Sequence, residues 1–359
     1  MEDIYLVMMV AVFALAITDL VVGVSNDAVN FLNSAIGSKA VSMKTILTVA
    51  SLGVAVGAIF SSGLMEVARE GIFMPGKFYF EDIMIIFMAV MIADILLLDF
   101  FNSLGMPTST TVSIVFELLG AAVCISLLKI YNTSGNFSSI FEYINTAKAT
   151  EIIGGILLSV VIAFTVGSVV QYFSRMIFTF HYEKKMKVIG SVFGGLSLTA
   201  ILYFILLKGI SSIDMIPHAF LDYINSHTLI IVIIGFLFFT LLSQLLISIF
   251  KVNILRVIIV VGTFALALAF AGNDLVNFIG VPIAAWQSYE IWHHAYIASG
   301  TLPSELLMSG LTGKVQTPVL LLIIAGLVMV VTLWFSSKAM KVTDTEINLG
   351  RQRDGAERF

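Results

Sequence analysis

About nine stretches of roughly 20 mostly apolar residues follow one another along the chain, and they leave few folds open. They cover 4–25, 43–65, 83–104, 107–130, 152–174, 188–208, 228–250, 254–286 and 318–337. A helix needs about 20 such residues to cross the hydrocarbon core of a bilayer. None of the runs keeps the period-2 alternation of a barrel strand, and within lipid only helices and closed barrels satisfy their own backbone. The expected fold class is an all-α polytopic membrane protein. Charged residues make up 12 % of the 359, against about 25 % in soluble domains, which excludes an ordinary water-soluble enzyme. A net charge of −4 without a basic patch excludes a nucleic-acid partner. The lone Cys124 excludes a disulfide framework or a cysteine metal cluster.

Lys and Arg in the loops set orientation. With the acidic start Met1-Glu2-Asp3 outside, 13 of the 19 basic residues fall on the cytoplasmic side and 6 outside. The chain is thus expected in the cell (inner) membrane with its N-terminus outside and its C-terminus cytoplasmic.

A charge at the bilayer centre costs roughly 2.5–3.5 kcal/mol on insertion scales, so the acids inside the runs carry the information. They are Asp19, Asp27, Asp94, Asp99, Glu117 and Asp274, and no comparable set of bases accompanies them. Such acids hold protons, bind a cation or face water. Two of them share a heptapeptide: 25–31 read S-N-D-A-V-N-F and 272–278 read G-N-D-L-V-N-F, with five of seven positions identical. On a helix Asn26, Asp27 and Asn30 share one face, as do Asn273, Asp274 and Asn277. Asparagine supplies both a carbonyl oxygen and N–H donors, so each face can hold a cation or an anion. The alternation of spans sends the two copies across the membrane in opposite directions. This is the pattern of an inverted repeat, which in secondary transporters places the binding site between the halves.

A third feature is Gly105-Met106-Pro107-Thr108-Ser109-Thr110-Thr111, which joins two apolar runs with almost no loop. Glycine and proline break the first helix, and proline suits the first turn of the next. Ser109, Thr110 and Thr111 then put hydroxyls beside the unpaired N–H groups and positive dipole of a helix start, which favours an anion. Residues 83–130 are read as a re-entrant helical hairpin that enters and leaves on the outside, with two full spans as the alternative that the charge count does not separate from it. Glu290, His293 and His294 lack a metal-site spacing, and Trp286–Pro303 reads as a separate outer interfacial helix with Trp286 and Trp292 at the headgroups.

Ser25-Asn26-Asp27-Ala28-Val29-Asn30 with Ala35-Ile36-Gly37-Ser38 resembles the first signature of the inorganic phosphate transporter (PiT) family. Gly272-Asn273-Asp274-Leu275-Val276-Asn277 with Ile279-Gly280 and Pro282 resembles the second. Pro107-Thr108-Ser109-Thr110-Thr111 resembles the tip of that family's first hairpin. Val112 stands where the tip often carries histidine, and Val54 where the following span often carries an acid. The resemblance implies an inverted-repeat secondary transporter that imports inorganic phosphate by symport with Na⁺ or H⁺, with no cofactor and no catalytic residue. It implies substrate contacts from Ser109, Thr110, Thr111, Asn26, Asn30, Asn273 and Asn277, and a coupling ion at Asp27 and Asp274. The other expected partners are the bilayer and a second copy of the chain as a homodimer. Another oxyanion such as sulfate is the alternative cargo, and a membrane-embedded hydrolase using Asp27 and Asp274 the alternative class.

The expected organisation is a first transport repeat over 1–130, intervening loop and helices over 131–250, the start of a second, inverted repeat over 251–337, and a charged cytoplasmic tail or loop start over 338–359. No second hairpin tip follows Asn273 at the spacing that separates Asn26 from Pro107. The second repeat is therefore expected to be incomplete, and the chain to be the N-terminal part of a longer transporter.

Overall fold

The computed structural model describes residues 2–59, 61, 71–133, 135–178, 186, 189–206, 218–312 and 318–350. Several bases used for orientation, among them Arg69, Lys184, Lys185, Lys187, Lys208, Lys314 and those after 350, lie outside the described residues. The helices are α1 (Glu2–Asp27), α2 (Val29–Ser38), α3 (Met43–Ile59), α4 (Phe80–Leu104), α5 (Thr110–Thr133), α6 (Thr146–Phe178), α7 (Gly190–Phe204), α8 (His218–Ser226), α9 (Thr228–Ser248), α10 (Ile254–Ser299), α11 (Val319–Phe335) and α12 (Ser337–Gly350). Among the described residues six stretches are long and apolar enough to cross a membrane, the first being α1 and α2 together; the bent pair α11–α12 would make a seventh, and α3 and α7 are shorter apolar helices.

The contacts give the direction of each helix. Along α1 and α2 the partners on α10 fall in number as the chain advances. Tyr5 meets Trp292, Gly23 faces Phe278, and Phe31 meets Phe270. The two signature helices therefore run antiparallel. Residues of α3 rise together with their α10 neighbours, Gly53 against Phe264 and Gly57 against Leu268, so these two are parallel. Alpha4 runs parallel to α1, with Phe80 near Tyr5 and Asn102 near Val22. Alpha5 returns alongside it, and Lys129 near its end reaches Asp82 near the start of α4. Each arm of this hairpin is itself long enough to cross a bilayer.

Two apolar clusters fill the bundle. One joins the second half of α1, α2, α3, the first half of α10 and α11. The other joins the start of α1, residues 72–91, α5 and the second half of α10. Alpha10 is a single helix of 46 residues that passes through Pro282. The expected separate interfacial helix from Trp286 is thus part of α10. Proline removes one backbone hydrogen bond, but Val281, Pro282, Ile283, Ala284 and Ala285 are all buried, and this packing on both sides holds the axis. Trp292 is fully buried and stacks on Phe80 at 4.8 Å rather than marking a headgroup level. Alpha6 is the opposite case: Ala149 is its one buried residue among those described, as expected of a helix turned to lipid.

Alpha12 leaves α11 at a bend of 66°. It occupies part of the segment expected as a tail, and it lies against the inner arm of the hairpin: Lys338 pairs with Asp99 and Lys341 donates to the carbonyl of Ser103. The Lys338–Asp99 pair is nearly half exposed on both sides, and such pairs contribute about 0–1 kcal/mol. Lys338→Ala is expected to lower the stability of the purified protein by less than about 1 kcal/mol, read as a small thermal shift; a loss of several degrees would show that α12 is held mainly by this pair.

Candidate substrate and ion site

The hairpin tip is shaped by three residues. Gly105 ends α4 with φ +73°, a conformation that L side chains rarely adopt, and a side chain there would also press on Lys341 and Thr345. Pro107 follows. Ser109 then caps α5, its hydroxyl accepting from the N–H of Val112 at 3.3 Å. The first N–H groups of α5 therefore open next to Thr110 and Thr111.

The tip is bound to α1 through Asn26, which is fully buried. Its Oδ1 accepts from the N–H of Thr108 at 2.7 Å, and its Nδ2 donates to Asn102 Oδ1 at 2.8 Å and to the carbonyl of Met106 at 3.1 Å. Asn102 in turn donates to the carbonyl of Val22 at 2.7 Å. Both amide ends of Asn26 are thus engaged by the tip, so it is placed to position the tip rather than to meet a ligand. Asn102 was not singled out by sequence. The available signal was an amide five residues before Pro107 in an otherwise apolar run.

Asp27 is buried and accepts from the Thr110 hydroxyl at 2.8 Å. From the opposite helix, Asp274 accepts from Thr111 at 3.5 Å, and Asn277 donates to the same Thr111 hydroxyl at 3.0 Å. The tip therefore sits between the two signature aspartates, and Asp274 lies close enough for its charge to act on Asp27. Asn30 and Asn273 are both exposed and outside the tip's hydrogen bonds, and the Asn273 side chain bonds its neighbour Asp274. Ser109 is exposed and, with Thr108, lines a cavity on the hairpin that extends to Glu117. Ser25 and Ser336, the latter at the α11–α12 bend, bond at 2.7 Å and add hydroxyls at the same level.

Chemically, the arrangement offers hydroxyls and helix N-terminal N–H groups to an anion, and two carboxylates with threonine and amide oxygens to a hard cation. Among the described residues no group of three or more His, Cys, Asp or Glu is placed to hold a metal ion.

Antiparallel signature helices closing on a broken hairpin define a membrane transport protein. The family model of the phosphate transporter family matches residues 23–347, and the chain belongs to that family. A solved structure described as the sodium-dependent phosphate transporter is similar in fold, with a TM-score of 0.68 over 97 % of this chain and 79 % of that one at 18 % identity. Proteins named as phosphate permeases from Mycobacterium bovis and Mycobacterium tuberculosis are each 29 % identical over 150 residues, which is 41 % of this chain and 26 % of theirs. The matched stretch thus spans about a quarter of those relatives' length. Family and structural neighbour are transporters, not enzymes, and the hydrolase alternative is set aside.

Proposed function

We propose that this chain carries inorganic phosphate into the cell by symport with a cation, Na⁺ or H⁺. The observation that carries the reading is the start of α5, with Thr110 and Thr111 held between Asp27 and Asp274 from antiparallel helices. Phosphate oxygens would take the hydroxyls of Ser109, Thr110 and Thr111 and the free N–H groups of the helix start. The cation would take Asp27 and Asp274. An anion and a cation in adjoining positions each strengthen the binding of the other, and by linkage that effect is reciprocal. The family and the sodium-dependent structural neighbour support the cargo and a coupling cation.

The helices α1–α2 and α10 then form the core of two inverted repeats, with the N-terminus outside and the C-terminus cytoplasmic. Asn26 anchors the tip; Asn277 serves both tip and ligand. Asn30 and Asn273 remain available to cargo, being the two signature amides that the tip does not occupy.

Uptake of radiolabelled phosphate by the purified protein in proteoliposomes, with Na⁺ and pH gradients imposed separately, tests this reading. Uptake above the gradient-free rate under one of them, with sulfate a poor competitor, is expected. Equal competition by sulfate would move the cargo to oxyanions in general, and no uptake under either gradient would overturn symport.

A further inference from the structure

About 12 Å along α1 from the Asp27 site, at eight residues and 1.5 Å each, lies a second group of polar side chains that the phosphate and cation positions leave unused. Asp19 of α1 and Asp94 of α4 are both fully buried and lie side by side. Ser113 of α5 is also buried and adjoins Asp94, and Glu117, one turn further on, adds its charge to the group. All four carboxylate oxygens of Asp19 and Asp94, the Ser113 hydroxyl and Oε2 of Glu117 are buried without a hydrogen-bond partner.

Unpartnered buried polar atoms are rare, because each costs roughly 1–3 kcal/mol and charged ones more. Here six of them meet in one place. The chemistry explains why. An ionised carboxylate only accepts, so two facing carboxylates have no donor between them. The other charged groups acting on Asp19 are Asp27 on its own helix and Glu117 on α5, both acids. The lysines next to the hairpin are engaged elsewhere, Lys129 with Asp82 and Lys338 with Asp99. A bound metal is not indicated, since no group of three acids is placed to chelate one among the described residues. A single proton supplies what is missing: one carboxyl becomes a donor to the other, as in the paired aspartates of acid proteases.

We propose that Asp19 and Asp94 share a proton, with Ser113 donating to the pair, and that Glu117 exchanges this proton with water. Glu117 is suited to that role by position. It lines a cavity of about 510 Å³ with Leu97, Thr108, Ser109, Ser113 and Phe116, which runs along the hairpin to the tip. Exchange moves one proton at a time. The pair passes its proton to the Glu117 carboxylate, which releases it to water in the cavity, and the reverse steps return a proton from that water through Glu117 to the pair. The site stands separately from the proposed phosphate reading and holds its proton whether or not that reading is correct.

Infrared spectroscopy of the purified protein reads the proton directly, through the C=O stretch of a protonated carboxyl and its shift in D₂O. The full chain is expected to show this band at neutral pH, and Asp27→Asn to keep it. The double variant Asp19→Asn with Asp94→Asn is expected to lose it, with the two amides supplying their own donors. Glu117→Gln should retain the band but slow its response to D₂O by an order of magnitude. Absence of the band in the unmodified protein at neutral pH, or its persistence unchanged in the double variant, overturns the shared proton. Unchanged exchange in Glu117→Gln overturns the route. Because the first readout needs no variant, a failure of the double variant to fold leaves the proposal open to refutation.

Discussion

Asp27→Asn and Asp274→Asn, made singly, are each expected to reduce gradient-driven phosphate uptake by about 100-fold, since a hydrogen-bonded charge contributes up to roughly 3 kcal/mol. The substitution keeps size and an acceptor oxygen. At 27 it therefore preserves the bond from Thr110 and the seat of the tip, while removing the negative charge that a cation requires. The charge should matter more than the bond at 274, where Thr111 lies at 3.5 Å. Thermal stability should remain close to that of the unmodified protein, which separates loss of coupling from loss of fold. Wild-type uptake in both variants would remove the aspartates from the site.

The largest effect on stability is expected where α3 meets α10. A Cβ on Gly53 would stand 2.5 Å from the carbonyl oxygen of Phe264, and one on Gly57 would press on the carbonyl oxygen of Leu268. These are backbone atoms, so no side-chain rotation relieves the clash. The helices can approach this closely only because both positions lack a side chain, as is common where helices associate in membranes. Gly53→Val and Gly57→Val are each expected to cost about 3 kcal/mol or more, at the upper end for overpacking. Both should lower the yield of folded protein sharply. Gly154 and Gly155 of α6 have nothing within 4 Å of an added Cβ, and valine at either is expected to leave the yield unchanged. Equal losses at all four positions would show that the loss does not come from the α3–α10 contact, since valine is a better helix former than glycine.

The bundle and the core of the site were legible in sequence because both rest on strong physical exclusions. Lipid excludes unpaired backbone and lone charge, so the apolar runs mark the helices, and the acids within them mark the place where something binds. The paired N-D-x-x-N segments with the P-T-S-T-T tip then brought Asp27, Asp274, Thr110 and Thr111 to one point, where the structure also has them. What escaped was context. The pattern that grouped Asn26, Asp27 and Asn30 could not show that Asn26 is fully buried while Asn30 is exposed. The role of Asn26 could not be read from spacing, since its partners at Asn102, Met106 and Thr108 lie about 80 residues away. Pro282 and Trp286 looked like the end of a span, yet burial carries α10 through them to Ser299. Asp19, Asp94 and Glu117 were visible as intramembrane acids, but only the three-dimensional arrangement makes them a group.

The hairpin tip is fastened unequally to the two halves. Toward α1 it has three bonds through Asn26, at 2.7, 2.8 and 3.1 Å, and the Thr110–Asp27 bond at 2.8 Å. Among the described residues its hydrogen bonds toward α10 come from Thr111, at 3.0 Å to Asn277 and 3.5 Å to Asp274. In mechanical terms the seam along α10 is the fault line. At the tip the hydrogen bonds to α10 are fewer and longer than those to α1, while the body of the hairpin packs against both helices. Asp27 is covered by a short bond from Thr110, and Asp274 by a longer one from Thr111. The two aspartates, equivalent in the sequence, are thus inequivalent in how firmly the hairpin tip covers them.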